Sequence, residues 1–125
     1  MTNAVNWFEI PVRNYERAKK FYGTLLGNEI IDHHMEDKNI KYGIFPYDME
    51  SYKVGGALME MDGMNPSMDG STVYLNGGED LNEPLSRVIA AGGEILMPKT
   101  DIGENGFIAQ FKDSEGNRVA LHSMG

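Results

Sequence analysis

The feature that most constrains this chain is a repeat of order rather than of letters. "LGNEII" at 26–31 and "AGGEIL" at 91–96 each close a helical stretch on glycine and begin a strand. Gly27, Glu29 and Ile30 precede Gly92, Glu94 and Ile95 by a constant offset of 65 residues. Upstream of the first signature, "AVNWFEIPV" alternates: Phe8, Ile10 and Val12 form an apolar face, with Trp7, Glu9 and Pro11 opposite. Asn14 is a helix N-cap with Glu16 in the first turn. Ala18, Phe21, Tyr22, Leu25 and Leu26 then keep helical spacing, so 15–26 is predicted as an amphipathic helix ending at Gly27. Three strand-like runs follow, "EIIDHHM", "IKYGIF" and "KVGGALMEM". After a Gly/Pro/Asn/Asp-rich linker at 62–70 the order returns. "STVYLN" is a strand. Leu81, Leu85, Val88 and Ile89 form a helix stripe, which Pro84 requires to start nearby with Asp80 or Asn82 as cap. "EILMPK", "GFIAQFK" and "NRVALHS" complete the set. The prediction is therefore one 125-residue domain of two β-α-β-β-β modules, about 4–61 and about 71–124.

Composition narrows the function. With 41% hydrophobic and 24% charged residues the chain is expected to fold rather than stay disordered. No apolar run approaches the roughly 20 residues that cross a bilayer, and no signal peptide opens the chain, so no membrane partner is expected. Cysteine is absent, which removes disulfides, thiolate metal sites and thiol nucleophiles, and suits a reducing cytoplasm. Eleven basic against nineteen acidic residues give a net charge of −8, which repels phosphate backbones and makes nucleic acid a poor partner. The nine methionines suit core filling before they suit a permissive pocket.

A single helix per module covers one face of its strands, so the other face needs a different neighbour. The closing stretch "DSEGNRVALHS" poses the same question. After its turn, Val119 and Leu121 point to the core, while Arg118, Ala120 and His122 point away. If the uncovered faces of the two modules pair, Trp7, Glu9, Tyr74, Arg118, Ala120 and His122 line a shared concavity. Tyr42, Phe45, Tyr47 and Tyr52 could stack on a flat ligand, though packing accounts for most such aromatics. Gly55-Gly56 marks a bulge or a close approach, and "GENG" at 103–106 a connector or a lid. His33-His34 point to opposite faces and read as a solvated strand. No phosphate-binding Gly-Lys loop, nucleophile elbow or Ser-His-Asp arrangement is legible.

"FEIPVRNYERAKKFYGTLLG" at 8–27, "AAGGEILMP" and "FKDSEGNRVALHS" together resemble the vicinal oxygen chelate superfamily, the glyoxalase / bleomycin resistance / dioxygenase family. The resemblance implies an α+β fold in which the two modules pair into a curved, cleft-forming mixed sheet with helices on its outer face. It also implies a homodimer and a small-molecule ligand or substrate. Metal-dependent members hold a divalent ion that chelates two neighbouring substrate oxygens. Counted from the motifs, their ligand positions fall on Trp7 and Ala120, near Met59, and near Val73 or Tyr74. The usual metal site is thus expected to be missing, and no cofactor is firmly predicted. Glu9 and His122 each lie two residues beyond a usual position on the same face, about 7 Å further along the strand. Two readings stand. In one, the protein binds a small molecule without metal, with Trp7, Tyr42, Met59, Tyr74, Arg118 and Ala120 in the wall and a cationic aromatic ligand favoured. In the other, Glu9 and His122 are catalytic and serve a displaced, metal-dependent lyase/isomerase or dioxygenase site. A purely structural or regulatory role has no feature behind it.

Overall fold

The computed structural model describes residues 4–46 and 54–125. Tyr47 and Tyr52 lie outside the described residues. In chain order the elements are β1 (Trp7–Pro11), α1 (Tyr15–Leu26), β2 (Ile31–His33), β3 (Lys41–Ile44), β4 (Gly55–Glu60), β5 (Tyr74–Asn76), α2 (Asn82–Leu85), α3 (Val88–Ala91), β6 (Glu94–Asp101), a 3-10 turn (Gly103–Asn105), β7 (Phe107–Lys112) and β8 (Arg118–Ser123). They form two four-stranded mixed sheets, ordered β1-β4-β3-β2 and β5-β8-β7-β6. In each, the first strand runs parallel to the last and the remaining pairs are antiparallel. This is the α+β architecture expected from the sequence. Among the described residues the sheets share no hydrogen-bonded edge, so β1 and β5 each have one side unpaired there.

Helix α1 forms where the spacing predicts it. Asn14 is extended, and its side chain accepts from the Arg17 N–H at 3.1 Å. At the other end Gly27 takes the left-handed conformation, φ 68°, and Gly92 repeats it at φ 107°. The shared helix-end signature is thus a shared backbone need. The second helical stretch departs from expectation. The predicted stripe Leu81–Ile89 is split into two single-turn helices, interrupted at Ser86–Arg87. Leu81, Leu85 and Val88 are buried as predicted, but Ile89 is 70% exposed. The Arg87 N–H bonds to the Pro84 carbonyl, a tighter 3-10 spacing that rotates Ile89 away from the position above Leu85.

The sheets meet through a single core. Ile10, Val12, Tyr22, Leu25 and Leu58 from the first half join Leu75, Val88, Phe111, Val119 and Leu121 from the second. Phe21 lies 5.9 Å from Phe111, ring to ring, across the junction. A polar clasp reinforces it. The hairpin turn between β7 and β8 buries Asp113, Glu115 and Asn117. Glu115 accepts from the backbone N–H groups of Arg13 and Asn14 and from the Arg17 guanidinium, at 2.6–3.0 Å. Asp113 accepts from the Tyr22 hydroxyl at 2.6 Å, and Asn117 Nδ2 donates to the Pro11 carbonyl at 2.8 Å. Each buried polar group finds a partner, as the low-dielectric interior demands. The faces turned away from this core are the open faces, and they carry the candidate site.

Candidate functional site on the open sheet faces

On the first sheet, alternation puts Trp7 and Glu9 on the open face while Phe8 and Ile10 turn to the core. Gly56 makes this geometry possible: a Cβ there would collide with the Phe8 ring, which crosses it to meet Phe45 edge-on at 5.4 Å. The Gly55-Gly56 signal therefore includes a packing role at Gly56, and Phe45 is a core residue. Across the sheet, Tyr42 on β3 stands opposite Met59 on one side and His33 on the other. Trp7 Nε1 donates to Tyr42 Oη at 3.0 Å, and Tyr42 Oη donates to Glu9 Oε2 at 2.6 Å. Partial burial, then the bond to the Glu9 carboxylate, raise the Tyr42 phenol above its ordinary range, against the opposing pull of the Trp7 N–H. Tyr42 thus keeps its proton and fixes the Glu9 carboxylate in place. Trp7, 38% exposed, presents indole surface beside it.

On the second sheet, Ala120 is fully buried although it lies on the open face. Its neighbours in register, Tyr74 on β5 and Gln110 on β7, stand on either side. Arg118 Nη1 donates to Gln110 Oε1 at 2.7 Å, Arg118 Nε to the Met68 carbonyl at 3.2 Å, and Gln110 Nε2 to Tyr74 Oη at 3.4 Å. Further along β8, His122 Nε2 lies 2.7 Å from the Asn105 carbonyl. That contact requires Nε2 to carry a hydrogen and ties the 103–106 loop to the sheet.

Two groups of sequence candidates are therefore brought together: Trp7, Glu9, Tyr42 and Met59 on one face, and Tyr74, Arg118 and Ala120 on the other. Glu9 and His122 are on different sheets, and no hydrogen bond or ion pair joins them within the chain. His33, read from the sequence as part of a solvated strand, sits 6.0 Å from the Tyr42 ring, and Gln110, which the sequence reading does not single out, links Arg118 to Tyr74. Gln110 was within reach of counting: the tight turn at 113–117 pairs Lys112 with Arg118, which sets Gln110 opposite Ala120.

Register also revises one position. Trp7 pairs with Gly55 as Tyr74 pairs with Ala120. The position equivalent to Ala120 is thus Gly55, while Met59 lies further along, opposite Pro11. An indole, a hydrogen, a phenol and a methyl make a donor set that does not fit a divalent metal. Among the described residues, no three His, Asp or Glu side chains lie close enough to hold one.

Comparison with known proteins places this geometry. Residues 4–121 match the family model of the Glyoxalase/Bleomycin resistance protein/Dioxygenase superfamily. Proteins of Mycobacterium bovis and Mycobacterium tuberculosis, both described as "Putative glyoxylase CFP32", are 28% identical over 120 residues. The match covers 93% of this chain and 44% of theirs, so the chain spans less than half the length of these curated relatives. Among solved structures, glyoxalase I of Zea mays superposes with a TM-score of 0.69 at 23% identity, over 94% of this chain and 45% of that one. The fosfomycin resistance protein FosX of Listeria monocytogenes gives 0.66 at 15%, over 98% and 92%. At those identities the structures speak for the fold. With the family model covering nearly its whole length, the chain belongs to the Glyoxalase/Bleomycin resistance protein/Dioxygenase superfamily.

Proposed function

We propose that this protein binds a small organic molecule against its open sheet faces, without the metal ion used by many members of the superfamily, and that two copies of the chain complete the cleft. The observation that carries the reading is the Trp7–Tyr42–Glu9 cluster: a tryptophan surface beside a carboxylate that a tyrosine holds in position. Such a pairing suits a ligand with an apolar part for stacking and a polar edge for hydrogen bonding. The open faces lie on the outside of a core shared by both sheets, and β1 and β5 each keep one edge without a strand partner among the described residues. A second copy whose β5 edge meets β1 would set Tyr74, Arg118 and His122 of one subunit opposite Trp7 and Glu9 of the other. The two modules, about 4–61 and 71–124, would then each supply half of each cleft. Glu9 and His122, apart within one chain, would meet there as acceptor and donor. A cytoplasmic setting fits the absence of cysteine.

Trp7 is the single tryptophan, so its fluorescence reports on this face alone. A panel of small carbonyl and aromatic compounds should include some that quench it saturably. Glu9→Gln should weaken those about tenfold while leaving the far-ultraviolet circular dichroism unchanged. Saturable binding that leaves Trp7 fluorescence and its Glu9→Gln variant unmoved would overturn this reading. The metal-dependent alternative, with Glu9 and His122 as displaced ligands, is separated by chelation. Dialysis against EDTA is expected to change neither the quenching titration nor Tm, and a loss of either would favour the alternative.

A further inference from the structure

We propose that Arg118 is the docking point for an anionic group on the ligand, a carboxylate or a phosphonate, and that Gln110 and Tyr74 position and complete it. The proposal deepens the reading above, since it takes the open face of the second sheet to be part of the cleft. It begins with charge. The described lysines and arginines that form ion pairs are Arg17, Lys19, Lys41, Arg87, Lys99 and Lys112. Those without a carboxylate partner are Arg13, Lys20, Lys38 and Arg118, and the first three are exposed. Arg118 is thus the one cation among the described residues that is half-buried and uncompensated. In a chain with nineteen acidic residues, a half-buried guanidinium that forms no ion pair with any described one is notable chemistry.

It is also held still. Its Nε bonds to the Met68 carbonyl and its Nη1 to Gln110 Oε1, both neutral acceptors. A guanidinium has five N–H donors in a planar fork; these two bonds orient the plane and leave Nη2 wholly available. Gln110 turns its other end to Tyr74, donating to Oη, so the tyrosine's own hydrogen is free to point elsewhere. Between them the buried methyl of Ala120 forms a floor with no charge to repel an anion. Lys112, the cross-strand neighbour of Arg118, is paired with Glu94 at 3.2 Å and does not compete for the ligand. A planar carboxylate or a tetrahedral phosphonate can take two parallel N–H bonds from such a fork. The acidity of the whole protein does not forbid this. Its repulsion is screened beyond roughly 8 Å at physiological salt, whereas contact with the guanidinium is short-ranged. The charge of the ligand edge is thus opposite to the cationic ligand that net charge alone favours.

The experiment is an NMR titration of the full chain with three probes: pyruvate, methylphosphonate, and pyruvamide as the neutral counterpart of pyruvate. At least one anion should shift the amide signals of residues 110 and 118–120, at about tenfold or more lower concentration than pyruvamide. Which anion wins distinguishes a carboxylate ligand from a phosphonate one. Arg118→Gln should abolish the preference for charge, Arg118→Lys should keep part of it, and Tyr74→Phe should weaken binding by a smaller factor. Equal binding of pyruvamide, unchanged anion binding in Arg118→Gln, or no response to either anion would overturn the proposal. If compounds still quench Trp7 in those cases, the anion site falls and the open-face reading stands. If Arg118→Gln proves misfolded by circular dichroism, Arg118→Lys and Tyr74→Phe decide the matter.

Discussion

Glu115 illustrates how much a single residue can conceal. Read from the sequence, it belongs to the turn that opens "DSEGNRVALHS"; in the fold it is a buried carboxylate that caps the start of α1 from the opposite half of the chain. Burial alone would raise its pKa. The hydrogen bonds from the Arg17 guanidinium, the Asn14 N–H, Ser114 and the Arg13 N–H outweigh it and hold the carboxyl below its ordinary range. Glu115→Gln is therefore expected to cost about 2 kcal/mol in urea unfolding near neutral pH. Because the folded value is depressed, this stabilisation is complete above the unfolded carboxyl pKa of about 4.3 and is lost as pH falls through the folded one. The difference between wild type and variant should accordingly shrink on acidification. A difference constant from pH 7 to pH 3 would mean that the lost charge is not what destabilises the variant. Alternation assigns faces well, which is why Trp7, Glu9, Arg118 and Ala120 were legible. It cannot reveal that a polar residue in a turn will be enclosed by a helix a hundred residues away.

At the scale of elements, the patterns with a strong period were the reliable ones. α1 carries its own cap, stripe and terminator, and it appears where they place it. β1 and β8 alternate cleanly, and their faces follow. The second helical stretch has a weaker code: the Asp80 carboxylate accepts from the Asn82 N–H at 3.0 Å, but Pro84 sits in the first turn, α3 has no side-chain cap of its own, and the stretch breaks in two. Its stripe was legible through Val88 and failed at Ile89, because helical spacing assumes an unbroken helix. Close packing between strands was only half legible. A paired glycine signals either a bulge or an approach, and the choice depends on a ring that lies elsewhere in the sequence. With Phe8 lying across Gly56, Gly56→Ala should destabilise by about 1–3 kcal/mol through overpacking, visible as a lower urea midpoint at unchanged slope. Phe8→Leu in the same background should recover part of it by making room. No recovery would place the strain in the backbone rather than against the ring.

For the whole molecule, the repeat predicted two like modules pairing into one curved mixed sheet; each module instead forms its own four-stranded sheet, and no hydrogen-bonded edge joins the two among the described residues. What sequence order could not tell is how their open faces are used. Both sheets turn their apolar sides to one core, while β1 and β5 are edge strands, each with one side unpaired among the described residues. The proposed cleft takes half of its wall from each of two chains, and mixing two defective variants tests this most directly. Glu9→Gln damages only the first-sheet half, and Arg118→Gln only the second. After subunit exchange to statistical equilibrium, about half of the dimers hold one chain of each kind, and each of these has one intact cleft. Titrated with a compound that saturably quenches Trp7, the mixture should regain about a quarter of the wild-type sites at wild-type affinity, though neither variant alone binds so tightly. A mixture that binds no better than the average of its two variants would contradict the account and confine the cleft to a single chain.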